Sequence, residues 1–273
     1  MPIAGTTRYN GRVPTVVTGR SWNGDLAFII QNLVLKDFKV RYRNMSLGVF
    51  WSLLNPLVMM GVLTFIFTKI VVRPDPNFPV FALCGLVPYN FFVVAWLTST
   101  NSIVDNAGLV KRVPFPREII PIASVLSNTL HLTIQLALLL GLVLLYHKGI
   151  NIHWVWLPLV WFLEIVFVCG LGLFCSCLNV FMRDVRYIVE SSTTVLFWLV
   201  PIFYSFASIP QKYSEVYQYN PLAALILALR YILLDAKAPP YGLLFKLTFS
   251  SFFVLLLGAS FFHRMKRRFY NYL

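Results

Sequence analysis

DNAGLVKRVPFPREIIP, residues 105–121, is a polar island between two long apolar regions. Lys111, Arg112 and Arg117, three prolines and Phe115 crowd into it, in a chain of which only 12% is charged. The stretch is too polar to lie in lipid and too short to form a domain. Pro114 and Pro116 each remove a backbone donor and push the preceding residue out of helical geometry, so one helix cannot run through. The expected shape is a kinked cationic knuckle at a membrane surface. Two readings fit it: a solvated connector that obeys the positive-inside rule, or a docking knob for a soluble partner.

The apolar regions on either side set the fold class. With 273 residues, 58% of them hydrophobic, and a mean hydropathy of +0.73, the chain lies outside the range of soluble domains and reads as an all-α polytopic membrane protein. The net charge of +13 does not indicate nucleic acid, because the cations sit at the ends of apolar runs instead of clustering on a soluble surface. Residues 1–24 read as a mobile basic lead-in without a secretory h-region, ahead of a transmembrane domain over 25–273. Cys84, Cys169, Cys175 and Cys177 all fall inside apolar runs and read as small hydrophobes.

Residues 25–43 have Leu26, Ile30, Leu33, Val34 and Phe38 at helical spacing, with Gln31, Lys36, Lys39 and Arg43 on other faces. That pattern predicts an amphipathic helix on the cytoplasmic leaflet, its basic side toward headgroups. Spans are expected at about 50–68, 79–104, 119–146, 154–180, 191–208 and 241–262. Asn55-Pro56 should kink the first span. The apolar run 221–234 is too short to cross and reads as interfacial or re-entrant. Under this topology 16 of the Lys and Arg residues fall inside and 7 outside, which favours six spans with both termini cytoplasmic.

An ionisable group in lipid needs a reason, since each costs about 2.5 kcal/mol or more mid-bilayer. His131 and Glu164 lie at similar depth on neighbouring spans, so Glu164 is expected to meet His131, or failing that Gln135 or Arg230, as a clamp between helices. Aromatic faces suit sugar rings, and Tyr89, Phe92, Trp96, Phe203 and Tyr204 are candidate channel-lining residues. The sequence lacks a G-x-x-x-x-G-K-[ST] loop, so ATP is not bound here in that manner. It also lacks G-x-S-x-G and H-E-x-x-H, which makes an enzyme the weaker class. An ATP-independent flippase or secondary transporter would show inverted repeats or midplane carboxylate chains, and neither is found. A membrane-embedded transferase would need His131, Glu164 or His153 for chemistry.

An ordered set of short motifs carries a resemblance: LGVFW (47–51), NP (55–56), GLVP (85–88) with FF (91–92), KRVPFPREIIP (111–121), Asn179 with Arg183-Asp184, Pro201 with Tyr204, IP (209–210), NP (220–221) and Arg230. Over about 25–265 the chain resembles the type-2 ABC-exporter permeases of O-antigen, capsule and teichoic-acid export. An exporter of a small lipid or drug is the nearest alternative within that superfamily. The resemblance implies six spans per subunit, a homodimer with a channel at its interface, and two separate ATPase subunits that bind ATP and Mg, with no cofactor in this chain. It implies that Lys111, Arg112, Pro114, Phe115, Pro116, Arg117 and Glu118, with Arg183 and Asp184, couple to the ATPase. It further implies short outer gate helices over 213–234, a polyprenyl-linked glycan as cargo, and a place in the bacterial cytoplasmic (inner) membrane.

Overall fold

The computed structural model describes residues 25–43, 46, 48–70, 77–113, 115–146 and 149–272. The lead-in 1–24, Leu47, most of the first outer loop (71–76), Pro114, His147 and Lys148 lie outside them. The described residues contain helices and no strand. In lipid this is what the backbone demands, since a helix satisfies every amide within its own segment.

The helices are α1 (Leu26–Tyr42), α2 (Trp51–Phe65, continued by a wider turn over Ile66–Ile70), α3 (Phe78–Asp105), α4 (Ala107–Arg112), α5 (Ile119–Leu145), α6 (Leu157–Phe181), α7 (Val185–Leu199), α8 (Gln211–Gln218), α9 (Pro221–Leu233) and α10 (Tyr241–Met265). Local signals set several ends. The Asp25 carboxylate caps α1 by accepting from the amides of Ala27 and Phe28 at 3.0 and 3.3 Å. Asn220 caps α9 in the same way, with Pro221 as its first helical residue. α7 stops because Pro201 forces Val200 into extended geometry, ψ 139°.

Five helical stretches among the described residues are long and apolar enough to cross a membrane: Trp51–Ile70, Phe78–Asp105, Ile119–Leu145, Ile152–Phe181 and Tyr241–Phe269. The stretch expected at 191–208 is instead helical over Val185–Leu199, six residues earlier, then bent over 202–204 and turned again at Phe206–Ser208. α3 and α6 form the centre. α3 packs on α2, α5, α6, α7 and α9, and α6 packs on α10. In α3, 72% of the most apolar window is buried; in α2, only 6% is.

α6 and α10 meet backbone to backbone. A Cβ on Gly258 would run into the Gly170 carbonyl, and one on Gly170 would stand 2.6 Å from the Leu255 amide nitrogen. Small residues are what allow such an approach in lipid, where helices associate by packing rather than by escape from water. The expected consequence is that Gly258→Leu destabilises the chain by about 2 kcal/mol or more, read as a lower melting temperature in detergent. Gly141→Leu, on an open face of α5 with nothing within 4 Å, should leave the melt unchanged. Equal effects of the two would overturn the contact.

Candidate functional site

α4 and the turns after it form the knuckle, and the end of the bundle that carries it is the basic end. Lys111 and Arg112 are exposed. Phe115, which sequence grouped with them as a coupling residue, is buried instead. It joins a cluster that draws Val110 of the knuckle together with Leu33 of α1, Val180 of α6, and Phe262 and Phe269 near the C-terminus. The knuckle therefore has a solvated cationic face and an apolar root in four other segments.

Arg117 and Glu118, both half-buried, fix the knuckle to the end of α10. Arg117 donates to the Lys266 carbonyl at 2.8 Å. Glu118 accepts from Lys266 Nζ at 2.5 Å, with His263 Nδ1 at 3.7 Å from the same oxygen. Pro116, just before them, is half-buried, and Pro114 is outside the described residues. Arg183 and Asp184 are exposed in the turn between α6 and α7, three and four residues beyond Val180, which is rooted in the same cluster as the knuckle. Asp184 also borders an open groove of about 810 Å³ along α7, lined by Trp96, Tyr187, Ile188 and Ser191 among others.

The aromatic candidates divide. Phe92 is 1% exposed and stacks on Phe167 of α6 at 6.1 Å, so it is core and not a channel wall. Trp96 is mostly buried, its indole donating to Cys175 Sγ at 3.3 Å, and reaches the groove only by an edge. The Tyr89 hydroxyl donates to the Thr193 carbonyl, which ties α3 to α7. Phe203 joins an aromatic group with Phe67, Phe197, Trp198 and Tyr204. Beside it a cavity of about 310 Å³ separates α2, α3 and α7, bordered by Tyr89, Asn55, Asn90, Thr193, Phe197 and Trp198. Phe197 and Trp198 were not singled out from sequence, and neither asparagine was named there as channel-lining. The signal for Phe197 and Trp198 was the exposed apolar stripe of α7, which the misplaced start of that helix obscured.

The polar intramembrane residues are not paired as expected. Neither Glu164 oxygen has a hydrogen-bond partner among the described residues, although the side chain is fully buried. The geometry of α5 explains the miss. Val125, Leu132 and Leu139 form its buried stripe, and Val125 approaches α6 at Gly172. His131 and Gln135 lie roughly 80–120° around the helix from Val125, turned toward α1 and α2. His131 Nδ1 instead meets the Tyr42 hydroxyl, and its ring stacks on Phe38 at 5.5 Å. Gln135 Nε2 donates to the Ser52 carbonyl at 2.9 Å. Arg230 donates to the carbonyls of Ile202 at 2.6 Å and of Tyr204 and Phe81 at 3.4 Å, its guanidinium lying 3.5 Å over the Phe81 ring.

α1 also differs from its reading. Lys36, placed on the headgroup side from sequence, donates to Asn106 Oδ1 at 2.8 Å, and Arg41 donates to Asn128 Oδ1 at 2.7 Å. Burial is the main influence on Arg41 and lowers its pKa from the ordinary value, opposed by Tyr42 and Asp37. Burial likewise raises Asp37, with Lys36 and Arg41 opposing and Asp105 adding. No group of three or more His, Cys, Asp or Glu among the described residues could hold a metal ion.

Residues 29–234 match the model of the ABC-2 type transporter family. The chain is 34% identical over 247 residues to an O-antigen export system permease protein RfbA of Klebsiella pneumoniae, covering 90% of this chain and 93% of that one. It is 28% identical over 243 residues to an O-antigen export system permease protein RfbA of Myxococcus xanthus, covering 88% and 94%. It is 25% identical over 202 residues to the polysialic acid transport protein KpsM of Escherichia coli, covering 72% and 78%. A membrane-type helical bundle, a family match across three quarters of the length and relatives matched nearly end to end agree: the chain belongs to the ABC-2 type transporter family.

Proposed function

We propose that the chain is the channel-forming permease subunit of an ATP-driven exporter that carries lipid-linked polysaccharide outward across the bacterial cytoplasmic membrane. The likeness to O-antigen and polysialic acid permeases supports the cargo class. The observation that carries the drive mechanism is the rooted knuckle, with exposed Lys111 and Arg112 on a base locked to α1, α6 and α10. A partner gripping that cationic face moves several helices together.

In this reading the basic end faces the cytoplasm and both termini lie there. α1 lies at the membrane interface, α7 with the non-helical residues after it makes the sixth crossing, and α8 and α9 are short outer helices. ATP and Mg are bound by two separate ATPase subunits, and the cargo is a polyprenyl-linked glycan. A second copy of the chain covers α2, where Leu54, Val58, Val62 and Phe65 are exposed. The path for the glycan lies between the copies, along α2 and α7.

Three outcomes are expected. Lys111→Glu with Arg112→Glu abolishes export, measured as surface glycan, while the purified variant keeps its melting temperature; unchanged export would remove the docking role. Lys266→Glu lowers export roughly tenfold, the scale of losing one charge-assisted hydrogen bond of about 1.5 kcal/mol. Adding Glu118→Lys to it should recover much of that loss, whereas an additive double mutant would show that the contact transmits nothing. Cysteine placed singly at 54, 58, 62 and 65 should give an oxidised dimer at one position at least, because a two-fold axis brings a residue near its own copy. If all four stay monomeric, α2 is not the covered face.

A further inference from the structure

A second cavity, of about 230 Å³, lies between α1, α2, α3 and α5 on the side away from the α7 groove. Its depth follows from the pairing of α2 with α3. Phe67 stacks on Phe78 at 5.2 Å, and Asn55 shares cavity walls with Asn90, so the two helices run antiparallel and Trp51 lies level with about residue 94. α3 continues past that level for about 16 Å toward the basic end. The 20 residues of Trp51–Ile70 are enough for one hydrocarbon core of about 30 Å. Trp51, 48% exposed, therefore marks the boundary of hydrocarbon and headgroups, where tryptophan collects. The cavity opens beside it.

The wall chemistry is specific. Three buried atoms on residues that line the cavity lack a hydrogen-bond partner among the described residues: His131 Nε2, Asn90 Nδ2 and Gln135 Oε1. His131 and Gln135 are 7% and 8% exposed. The Arg41 guanidinium stands at the rim, one of its N–H groups held by Asn128. No carboxylate lines the cavity. In the imidazole tautomer whose Nδ1 accepts from the Tyr42 hydroxyl, His131 Nε2 carries the proton, and the walls then offer a cation, two neutral donors and one acceptor. An amide or guanidinium left without a partner at this depth is costly, and a phosphate accepts from all three donors at once.

We propose that this cavity binds the phosphate of a lipid headgroup, with a hydroxyl of the same headgroup donating to Gln135 Oε1. The ligand is thus a phosphate amphiphile whose tail lies along the exposed face of α2. Both a glycerol-bearing bilayer phospholipid and a lipid-linked glycan have this chemistry. The site stands apart from the groove along α7, and it rests on the membrane placement of α2 rather than on the export reading.

The test uses the full chain, delipidated in detergent and titrated under native mass spectrometry with phosphatidylglycerol, with a polyprenyl phosphate sugar, and with inorganic phosphate. One lipid should bind per chain, and the tighter of the two lipids names the source. Inorganic phosphate, without a tail, should bind far more weakly. Arg41→Gln should weaken the lipid about tenfold. Asn90→Leu, which leaves the Arg41 to Asn128 bond in place, should weaken it as well, so a folding defect in the first variant does not decide the matter. Lys39→Gln, exposed on the same helix, should change nothing. Binding of neither lipid, equal binding of inorganic phosphate, or equal losses in Lys39→Gln and Arg41→Gln would overturn the proposal.

Discussion

A chain in hydrocarbon has no water to take up a broken backbone hydrogen bond, and several backbone carbonyls in this bundle accept from a side chain of another helix. Pro56 cannot donate to the carbonyl four residues back, Ser52, and Gln135 of α5 donates to it instead. Pro201 ends α7 and leaves the following carbonyls without helical donors; Arg230 of α9 serves Ile202 and Tyr204, and reaches Phe81 in α3 with the same group. Asn179 of α6 donates to the Thr100 carbonyl of α3. These polar residues look like a catalytic or proton-carrying set only while their partners are unknown. Most of them are structural, and their partners are backbone rather than one another.

The same constraint stiffens the bundle at the end where the proposed partner would push. The knuckle is not one helix, so its exposed amides face water, but its root is apolar and shared by α1, α6 and α10. The direct links are short: Arg117 and Glu118 both reach Lys266, one through its carbonyl and one through its ammonium. Moving the cationic face without moving α10 would break both. Because α10 in turn touches α6 through glycines, with no side chain to flex between them, displacement passes from the knuckle to the centre of the bundle with little slack.

Sequence made the helical class, the five helices long and apolar enough to cross a membrane, and the knuckle legible, because hydropathy and proline placement are local signals. It did not disclose which face of a helix meets which neighbour. The error over Glu164 and His131 came from judging depth alone: two residues at one level are partners only if they also share a face, and α5 turns His131 away from α6. Phe92 was misplaced for a similar reason, since an aromatic on a buried helix is indistinguishable in sequence from one on a channel wall. The spacing of Asn128, His131 and Gln135, which puts all three on one side of α5, was the readable trace of the polar seam with α1.

The 191–208 region shows how a length rule misleads when backbone geometry changes within a segment. Fifteen helical residues at 1.5 Å each give about 22 Å, short of a hydrocarbon core. Beyond Leu199 the chain turns tightly at Pro201, where the Ile202 amide donates to the Val200 carbonyl at 2.7 Å, and runs through bends over 202–204. Arg230 provides an independent mark of level, because its Nη2 bonds both Ile202 and Phe81, and Phe81 lies in the first turn of α3, at the end away from the knuckle. The chain thus leaves the basic end at Asp184 and stands beside the far end of α3 by residue 202. Part helix and part bent chain held by a buried arginine, this is the segment to which the proposed sixth crossing is assigned.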